Sequence, residues 1–286
     1  MKSEMTLTFF GVRGSYPVPG RSTQRYGGNT SSLLLEIAGQ ALIFDAGTGI
    51  IQAGHYLNRR YPQGGTIHLF LSHLHADHIQ GLPFFSPLFN PRLEIIVHCM
   101  ESGGSGFQDA IEALFQPPYS PITLKGIKAR LSFRPLDLAP GKNVVAIDPA
   151  IEISYTKHDS HPRLGVIIYQ VTHDGRRLVY ATDVESPDGF DAAIVRFIDG
   201  ADVLIHDSQY LDADYGDREN SRKGFGHSTV SMAVGNARHC HVKKLFLFHF
   251  NPDHSDRQLE TLLRQARRHF KNTYLSQEAK KIKIRR

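Results

Sequence analysis

The sequence predicts an α/β (α+β) fold in which two β-sheets pack together and helices cover their outer faces. Strand-like runs outnumber the helical stretches, and the two kinds of segment alternate along the chain. The 286 residues contain no linker, low-complexity segment or obvious repeat, and 41% of them are hydrophobic, which is enough for a sizeable core. We therefore expect a single domain over residues 1–286.

The expected elements follow the chain in order. Strands are expected at residues 5–11, 32–37, 41–44, 66–71 and 93–98, and then at 144–147, 151–155, 165–171, 177–181, 201–205 and 243–248. Helices are expected at residues 49–58, 107–115, 189–197, 229–240 and 256–269. The last helix has an apolar stripe of Leu259, Leu262, Leu263 and Ala266, and its arginines face outward. Such a stripe is typical of a helix that packs on a core.

Charge and cysteine content limit the function classes. The basic residues at the C-terminal end are Lys280, Lys281, Lys283, Arg285 and Arg286, and they account for the net charge of +5. We expect a neutral body and a basic tail at 278–286 that is either solvated or bound to a polyanion. Cys99 and Cys240 are too few for a disulfide framework, which favours a cytoplasmic location. No apolar stretch approaches the ~20 residues that span a bilayer, so no membrane partner is expected.

The most informative segment is Ser72-His73-Leu74-His75-Ala76-Asp77-His78, which directly follows the expected strand at 66–71. Imidazole and carboxylate groups suit zinc, manganese or iron. His73 and His75 alternate and can point the same way, whereas Asp77 and His78 lie beyond the turn and can face a second ion. The spacing therefore indicates two neighbouring metals, the arrangement used for in-line displacement at phosphorus.

The pattern His-x-His-x-Asp-His at residues 73–78 resembles the signature of the metallo-β-lactamase superfamily. The resemblance extends over about residues 10–254 and implies a four-layer αββα sandwich. In that superfamily, insertions beside the metal site carry substrate choice. The proline-containing segment 103–140 is therefore a candidate lid, with an ordinary surface connection as the alternative.

The resemblance also implies the remaining metal ligands. Asp183 follows a predicted strand and corresponds to the superfamily's aspartate that bridges two metals. His249 ends a predicted strand and matches the family's last histidine, with His254 as the alternative. His161, in a His-Pro pair before a strand, is preferred to His158 as the single histidine between the cluster and Asp183.

Together these residues give two expected metal sites. One ion is expected at His73, His75 and His161, and the other at Asp77, His78 and His249, with Asp183 shared. Zinc is the first choice, with manganese or iron as alternatives. Asp45, in Phe44-Asp45-Ala46-Gly47, resembles the family's aspartate after an early strand and is the candidate acceptor for a metal-bound histidine. Its alternative role is to cap the helix that starts near residue 49.

Two further motifs resemble the RNase Z and PhnP-like phosphodiesterase branch. An apolar run ends at Asp207, and Gly226-His227-Ser228-Thr229 opens a helix of small residues. The resemblance makes His227 a general acid or phosphate ligand and Asp207 its partner, although RNase Z usually has glutamate there. Asp77 completes the expected catalytic group. Residues 10–15 and 26–32 resemble a PhnP-like subgroup, and Arg13 there either holds a phosphate oxygen or makes a structural salt bridge.

The expected function is that of a dinuclear-metal hydrolase. Two metals about 3.5–4 Å apart lower the pKa of a bridging water, and the resulting hydroxide attacks phosphorus in line. Proton donation by His227 to the departing alkoxide speeds such a reaction by ~10²–10⁴. The neutral body, without a long basic arm of the kind RNase Z uses, favours a phosphodiesterase for a small phosphodiester such as a cyclic nucleotide.

Other functions stay open at this point. One alternative is an RNA or DNA nuclease of RNase Z type, which would use the basic tail and the arginines of the last helix to bind nucleic acid. Another is lactone or thioester hydrolysis, against which the Gly-His-Ser-Thr motif argues. A third is a nucleotide sensor without turnover. The resemblance also suggests a homodimer.

Overall fold

The computed structural model describes residues 4–100, 106–138 and 143–284. The strands of the first sheet are β1 (Met5–Gly11), β2 (Ser32–Ile37), β3 (Gln40–Phe44), β4 (Gly65–Phe70), β5 (Leu93–Met100), β6 (Arg130–Leu136) and the late strand β14 (Lys281–Ile284). Those of the second sheet are β7 (Asn143–Asp148), β8 (Ile151–His158), β9 (Val166–His173), β10 (Arg176–Ala181), β11 (Val203–Asp207), β12 (Leu245–Phe248) and β13 (Thr273–Leu275). The described chain thus forms two seven-stranded sheets.

The helices are α1 (Ile50–Arg60), α2 (Ala76–Ile79), α3 (Gly106–Ala113), α4 (Ala192–Ile198), α5 (Asp212–Tyr215), α6 (Val230–His239) and α7 (Asp256–His269). Three of them begin at residues with good capping side chains. Asp191 accepts from the first N–H groups of α4, Thr229 caps α6, and Ser255 caps α7. Such caps satisfy donors that have no partner inside the helix.

The core lies between the two sheets, and aromatic residues dominate its centre. The ring centroid of Phe44 on β3 lies 5.5 Å from that of Tyr169 on β9 and 5.7 Å from that of Tyr180 on β10. All three side chains are buried. Helices α1, α6 and α7 contact the sheets from outside. The expected α/β sandwich of two sheets flanked by helices is therefore confirmed.

Each sheet is mixed, and this positions the site. The order in the first sheet is β14-β1-β2-β3-β4-β5-β6, with β3 to β6 parallel. The order in the second is β13-β12-β11-β10-β9-β8-β7, with β10 to β13 parallel. The carboxyl ends of parallel strands share one edge of a sheet, which is where α/β proteins build their sites.

Three strands were not predicted from the sequence. Strand β6 lies in the proline-containing segment 103–140, β13 is short, and β14 alternates lysine with isoleucine. The expected basic tail is thus partly a strand that pairs with β1, and Lys283 contacts Glu4. Arg285 and Arg286 lie outside the described residues, as do 103–105 and 139–140 of the candidate lid, whose role stays a prediction. Among the described helices, none is long and apolar enough to cross a membrane.

Candidate metal centre

The first histidine cluster joins the loop after β4 to the loop after β8. His161 Nε2 lies 2.9 Å from His75 Nδ1, and the ring centroids of His73 and His161 are 4.6 Å apart. His158 points elsewhere: its Nδ1 contacts Ser160 Oγ at 2.6 Å. The structure therefore brings His73, His75 and His161 together and leaves His158 outside.

The second cluster contains Asp77, His78, Asp183 and His249, whose donor atoms lie within 4.8 Å of one another. His249 Nε2 is 3.2 Å from His78 Nε2 and 3.1 Å from Asp77 Oδ2. Asp77 and His78 share the short helix α2, and His249 follows β12, so two sheets contribute to one cluster.

Asp183 lies between the clusters and presents one oxygen to each. Its Oδ2 is 3.6 Å from His73 Nε2 and 3.9 Å from His161 Nε2. Its Oδ1 is 3.2 Å from His78 Nε2 and 3.3 Å from His249 Nε2. A carboxylate in this position has the geometry expected of a bridge between two cations.

The chemistry of these donors fits divalent cations. The side chains of His73 and His249 are buried, and neither His73 Nε2 nor His249 Nδ1 has a hydrogen-bond partner among the described residues. Burial, aided by His78, lowers the pKa of His73 well below its usual value, which favours the neutral imidazole that metals bind. Burial opposes charge on Asp183, yet the imidazoles of His249 and His78 hold the pKa of this carboxyl well below its usual range.

Strained backbone at the strand ends aims three of the side chains. Asp45 after β3, Asp183 after β10 and His249 after β12 adopt positive φ angles of 61°, 53° and 58°. This conformation costs about 1–2 kcal/mol for a residue other than glycine. Residues held in it cluster at functional sites, where the surrounding structure maintains the strain.

Asp45 supports the second cluster from behind. Its Oδ2 is 2.8 Å from His78 Nδ1 and accepts a hydrogen bond from Tyr180 at 2.7 Å, while its Oδ1 accepts from the Ser72 N–H. The contact with Nδ1 leaves Nε2 of His78 directed at the cluster. The expected role behind a metal-bound histidine agrees with this geometry, and helix α1 has Gly49, not Asp45, at its N-cap.

His227 and Asp207 form a buried pair beside the clusters. His227 Nδ1 lies 2.7 Å from Asp207 Oδ2 and 3.8 Å from Asp183 Oδ2, and its ring stacks 5.0 Å from that of His249. Burial by itself would lower the pKa of His227, but the Asp207 carboxylate outweighs it and raises the pKa to about 9. The shorter aspartate therefore reaches His227 directly.

Two supporting sets of hydrogen bonds, one at Asp77 and one at Glu185, were not predicted from the sequence. The Ser15 N–H donates to Asp77 Oδ2 at 2.7 Å. Glu185 accepts hydrogen bonds from Tyr215 and from the N–H groups of Gly224 and Gly226, at 2.7, 2.7 and 2.8 Å. It thereby holds the loop before His227. Glu185 follows Asp183 by two residues, but nothing in that spacing reveals partners that lie far along the chain.

Of the two roles open to Arg13, the structure supports the structural one. Its side chain is buried and donates to the carbonyl oxygens of Gly27, Asn251 and His254. Its guanidinium also lies 3.9 Å from Asp256. Arg13 is committed to joining the N-terminal loop to the segment after His249, so its role is structural.

Comparisons with known proteins identify the family of the chain. Residues 40–250 match the model of the β-lactamase superfamily domain. The chain is 27% identical to ribonuclease Z of Picrophilus torridus over 316 aligned residues, which cover 97% of this chain and 95% of that protein.

Two solved structures share the fold. Human tRNase Z, short form, is 21% identical with a TM-score of 0.67, and the match covers 99% of this chain and 100% of that one. A diphosphatase from the PhnP family is 17% identical with a TM-score of 0.67, over 97% of both chains. At these identities, the likeness concerns the fold.

The fold and the paired histidine–aspartate clusters define a metal-dependent hydrolase. The family match covers well over half of the sequence, and the chain belongs to the β-lactamase superfamily. Within it, the chain is similar to ribonuclease Z of Picrophilus torridus over most of its length.

Proposed function

We propose that this protein is a dinuclear-metal phosphodiesterase. The observation that carries the proposal is the His227–Asp207 pair, 2.7 Å apart, placed beside two histidine clusters that share Asp183. A phosphodiester needs both negative-charge stabilisation at phosphorus and a proton for its leaving oxygen. The clusters and the pair offer these in one place.

We propose that the histidines and aspartates of the two clusters bind the metals. Zinc is the first choice of metal, with manganese or iron as alternatives. One ion is assigned to His73, His75 and His161, the other to Asp77, His78 and His249, with Asp183 shared. Bound divalent cations supply Lewis acidity, which lowers the pKa of water and offsets negative charge on phosphoryl oxygens.

Side chains of the protein have the remaining catalytic roles. Asp207 holds Nδ1 of His227, which leaves Nε2 as the ring nitrogen for a substrate oxygen. His227 orients the phosphodiester and donates a proton to the leaving alkoxide. Asp77, held by the Ser15 N–H, keeps one carboxylate oxygen at the second cluster.

The favoured substrate is a small phosphodiester such as a cyclic nucleotide. The net charge of +5 comes from residues 280–286, so the body of the protein is balanced. A balanced body gives little net attraction for a long polyanion, which needs many phosphate contacts.

An RNA nuclease of RNase Z type is the second candidate, and the relatives favour it. Both the Picrophilus torridus and the Thermoplasma acidophilum relatives are named ribonuclease Z, and they match this chain over 95% and 99% of their lengths. Arg264 and Arg268 are exposed on α7, where phosphate groups can reach them.

The test combines metal analysis with a substrate panel. Protein loaded with zinc, manganese or iron is assayed with bis(p-nitrophenyl) phosphate, 2′,3′- and 3′,5′-cyclic nucleotides and a short RNA, beside His75→Ala. Two metals per chain and cleavage of a cyclic nucleotide that the variant loses are expected. Cleavage of RNA alone would establish the nuclease, and no turnover with any metal would overturn the proposal.

A further inference from the structure

A cavity of about 440 Å³ lies beside Tyr210, a neighbour of His227. Tyr210 lines it, and the edge of the Tyr210 ring meets the ring of His227 with centroids 5.7 Å apart. Asn251 also lines it and lies two residues after His249. Tyr210 and Asn251 therefore connect the cavity to the residues of the centre, His227 and His249.

The lining suits a neutral, hydrogen-bonding group. It combines the amides of Asn220, Asn251 and Gln258 with three carboxylates and a single cation, Arg222. Excess negative charge disfavours a further phosphate, whereas amides and carboxylates match sugar hydroxyls and base amino groups. The volume lies within the ~300–1,000 Å³ typical of small-molecule sites.

A buried histidine supplies an independent sign of a ligand. His254 lines the cavity, is 5% exposed, and its Nδ1 has no hydrogen-bond partner among the described residues. Burial lowers the pKa of His254, which favours a neutral imidazole with one donor and one acceptor nitrogen. A buried polar atom without a partner is costly, and a hydrogen bond from a ligand would remove that cost for His254.

Both walls of the cavity are held in place. On one wall, Arg13 donates to the carbonyl oxygens of His254 and Asn251 at 2.6 and 3.1 Å. On the other, Asp217 accepts from the Asn220 N–H at 2.6 Å, and Glu185 fixes the end of the same loop at Gly224 and Gly226. A site fixed before binding loses less entropy when a ligand enters.

We propose that this cavity is a nucleoside-binding subsite, which holds the sugar and base of a phosphodiester whose phosphorus lies at the metal centre. The inference rests on the proposed phosphodiesterase function and narrows its substrates to nucleotides. Tyr210 then lies between the phosphate group and the nucleoside of the bound phosphodiester.

The test uses inhibitors that correspond to only one part of the substrate, either the nucleoside or the phosphate. The metal-loaded full chain hydrolyses bis(p-nitrophenyl) phosphate while each of the four ribonucleosides, or inorganic phosphate, is added. We expect competitive inhibition by at least one nucleoside. Asn220→Ala removes an amide, and Asp253→Asn replaces an acceptor oxygen by an NH₂ donor. Each change should raise the nucleoside inhibition constant about tenfold relative to that of phosphate. Both positions are exposed, so these variants should fold.

Glu219→Ala is the matched control, since this exposed residue belongs to the same loop without lining the cavity. In this control, the ratio of the nucleoside inhibition constant to the phosphate inhibition constant should equal that of the wild type. Inhibition by no nucleoside, or equal changes for nucleoside and phosphate in both cavity variants, would overturn the subsite. Absence of any hydrolysis by the wild type would instead count against the proposed function itself.

Discussion

Two buried carboxylates support the metal centre from opposite sides, and they act on different kinds of partner. Asp45, on the side of the first sheet, contacts the imidazole of His78, a predicted metal ligand. Glu185, on the side of the second sheet, contacts two backbone N–H groups and a tyrosine hydroxyl. The first therefore fixes a ligand, whereas the second fixes the loop that carries His227.

The difference teaches which property each side controls. The contact of Asp45 with His78 sets the ring orientation and basicity of a ligand, and thus metal affinity. The carboxylate oxygens of Glu185 accept from Tyr215 and from the loop before His227, so loss of this residue should move His227 while the metals stay bound. A substitution of Asp45 should therefore change metal content, whereas a substitution of Glu185 should change proton donation by His227.

The largest effect on activity is expected for Asp183, which lies between the two clusters. Asp183→Asn removes one anionic oxygen from the carboxylate between the clusters. Activity should fall by more than the ~10–100-fold that loss of an outer partner costs, and metal content should drop. Elemental analysis and hydrolysis of bis(p-nitrophenyl) phosphate measure both, with the exposed Asp188→Asn as control. Full metal content with full activity would exclude Asp183 as a bridge.

Loss of His227 should depend on the leaving group. His227→Ala is expected to slow cleavage of an alkyl phosphodiester by ~10²–10⁴ and that of a p-nitrophenyl ester far less, because p-nitrophenolate leaves without a proton. Metal content should stay at the wild-type level. The exposed His239→Ala serves as control. Equal losses for both leaving groups would contradict a role in proton donation.

Removing the charge of Asp45 should weaken metal binding. Asp45→Asn keeps the shape of the side chain but loses the anionic partner of His78, and a ~10–100-fold fall in metal affinity is expected. Competition with a chelator measures it. The catalytic rate at saturating metal should recover, and a rate that stays low would place Asp45 in the chemistry itself.

Glu185→Gln tests the other side. The amide has a single acceptor oxygen, so at least one loop N–H loses its partner, and a loss of about tenfold in kcat is expected for alkyl phosphodiesters. Metal affinity should not change, in contrast to Asp45→Asn. Glu219→Gln, in the same loop, is the control. A fall in metal affinity would erase the distinction between the two sides.

A third carboxylate, that of Glu278, should affect folding stability without affecting the metal centre. Glu278 accepts from the N–H and the side-chain amide of Asn29, and its burial raises the pKa of Glu278 to about 7. An unfolded glutamate ionises near pH ~4.3, so between these values only the folded state keeps the proton. Folding stability is then lost as pH rises from ~4.3 to 7, and the penalty is complete above pH 7.

Glu278→Gln should remove this penalty. The free energy of unfolding of the variant, relative to the wild type, should rise by about 1–3 kcal/mol between pH 4.5 and pH 8. Denaturant titrations of both proteins at the two pH values measure it. A difference that does not change with pH would mean that Glu278 titrates normally in the folded protein.

The sequence determined the parts of this protein that depend on neighbours along the chain. The four donors at 73–78 follow one strand, so their spacing alone indicates two metals. Apolar runs ending in Asp183, Asp207 and His249 mark strand ends, and most strands lie within a few residues of their predicted positions. These signals are local, because a strand and the turn after it are encoded by consecutive residues.

The tertiary structure decided everything that depends on distant partners. It placed His161, and not His158, beside His75, gave Arg13 its structural contacts, and directed one oxygen of Asp183 to each cluster. It also joined Glu185 to a loop some 40 residues away and formed the cavity beside Tyr210. Hydrogen bonds between distant segments leave no periodic pattern in sequence, because their geometry exists only once the two sheets pack.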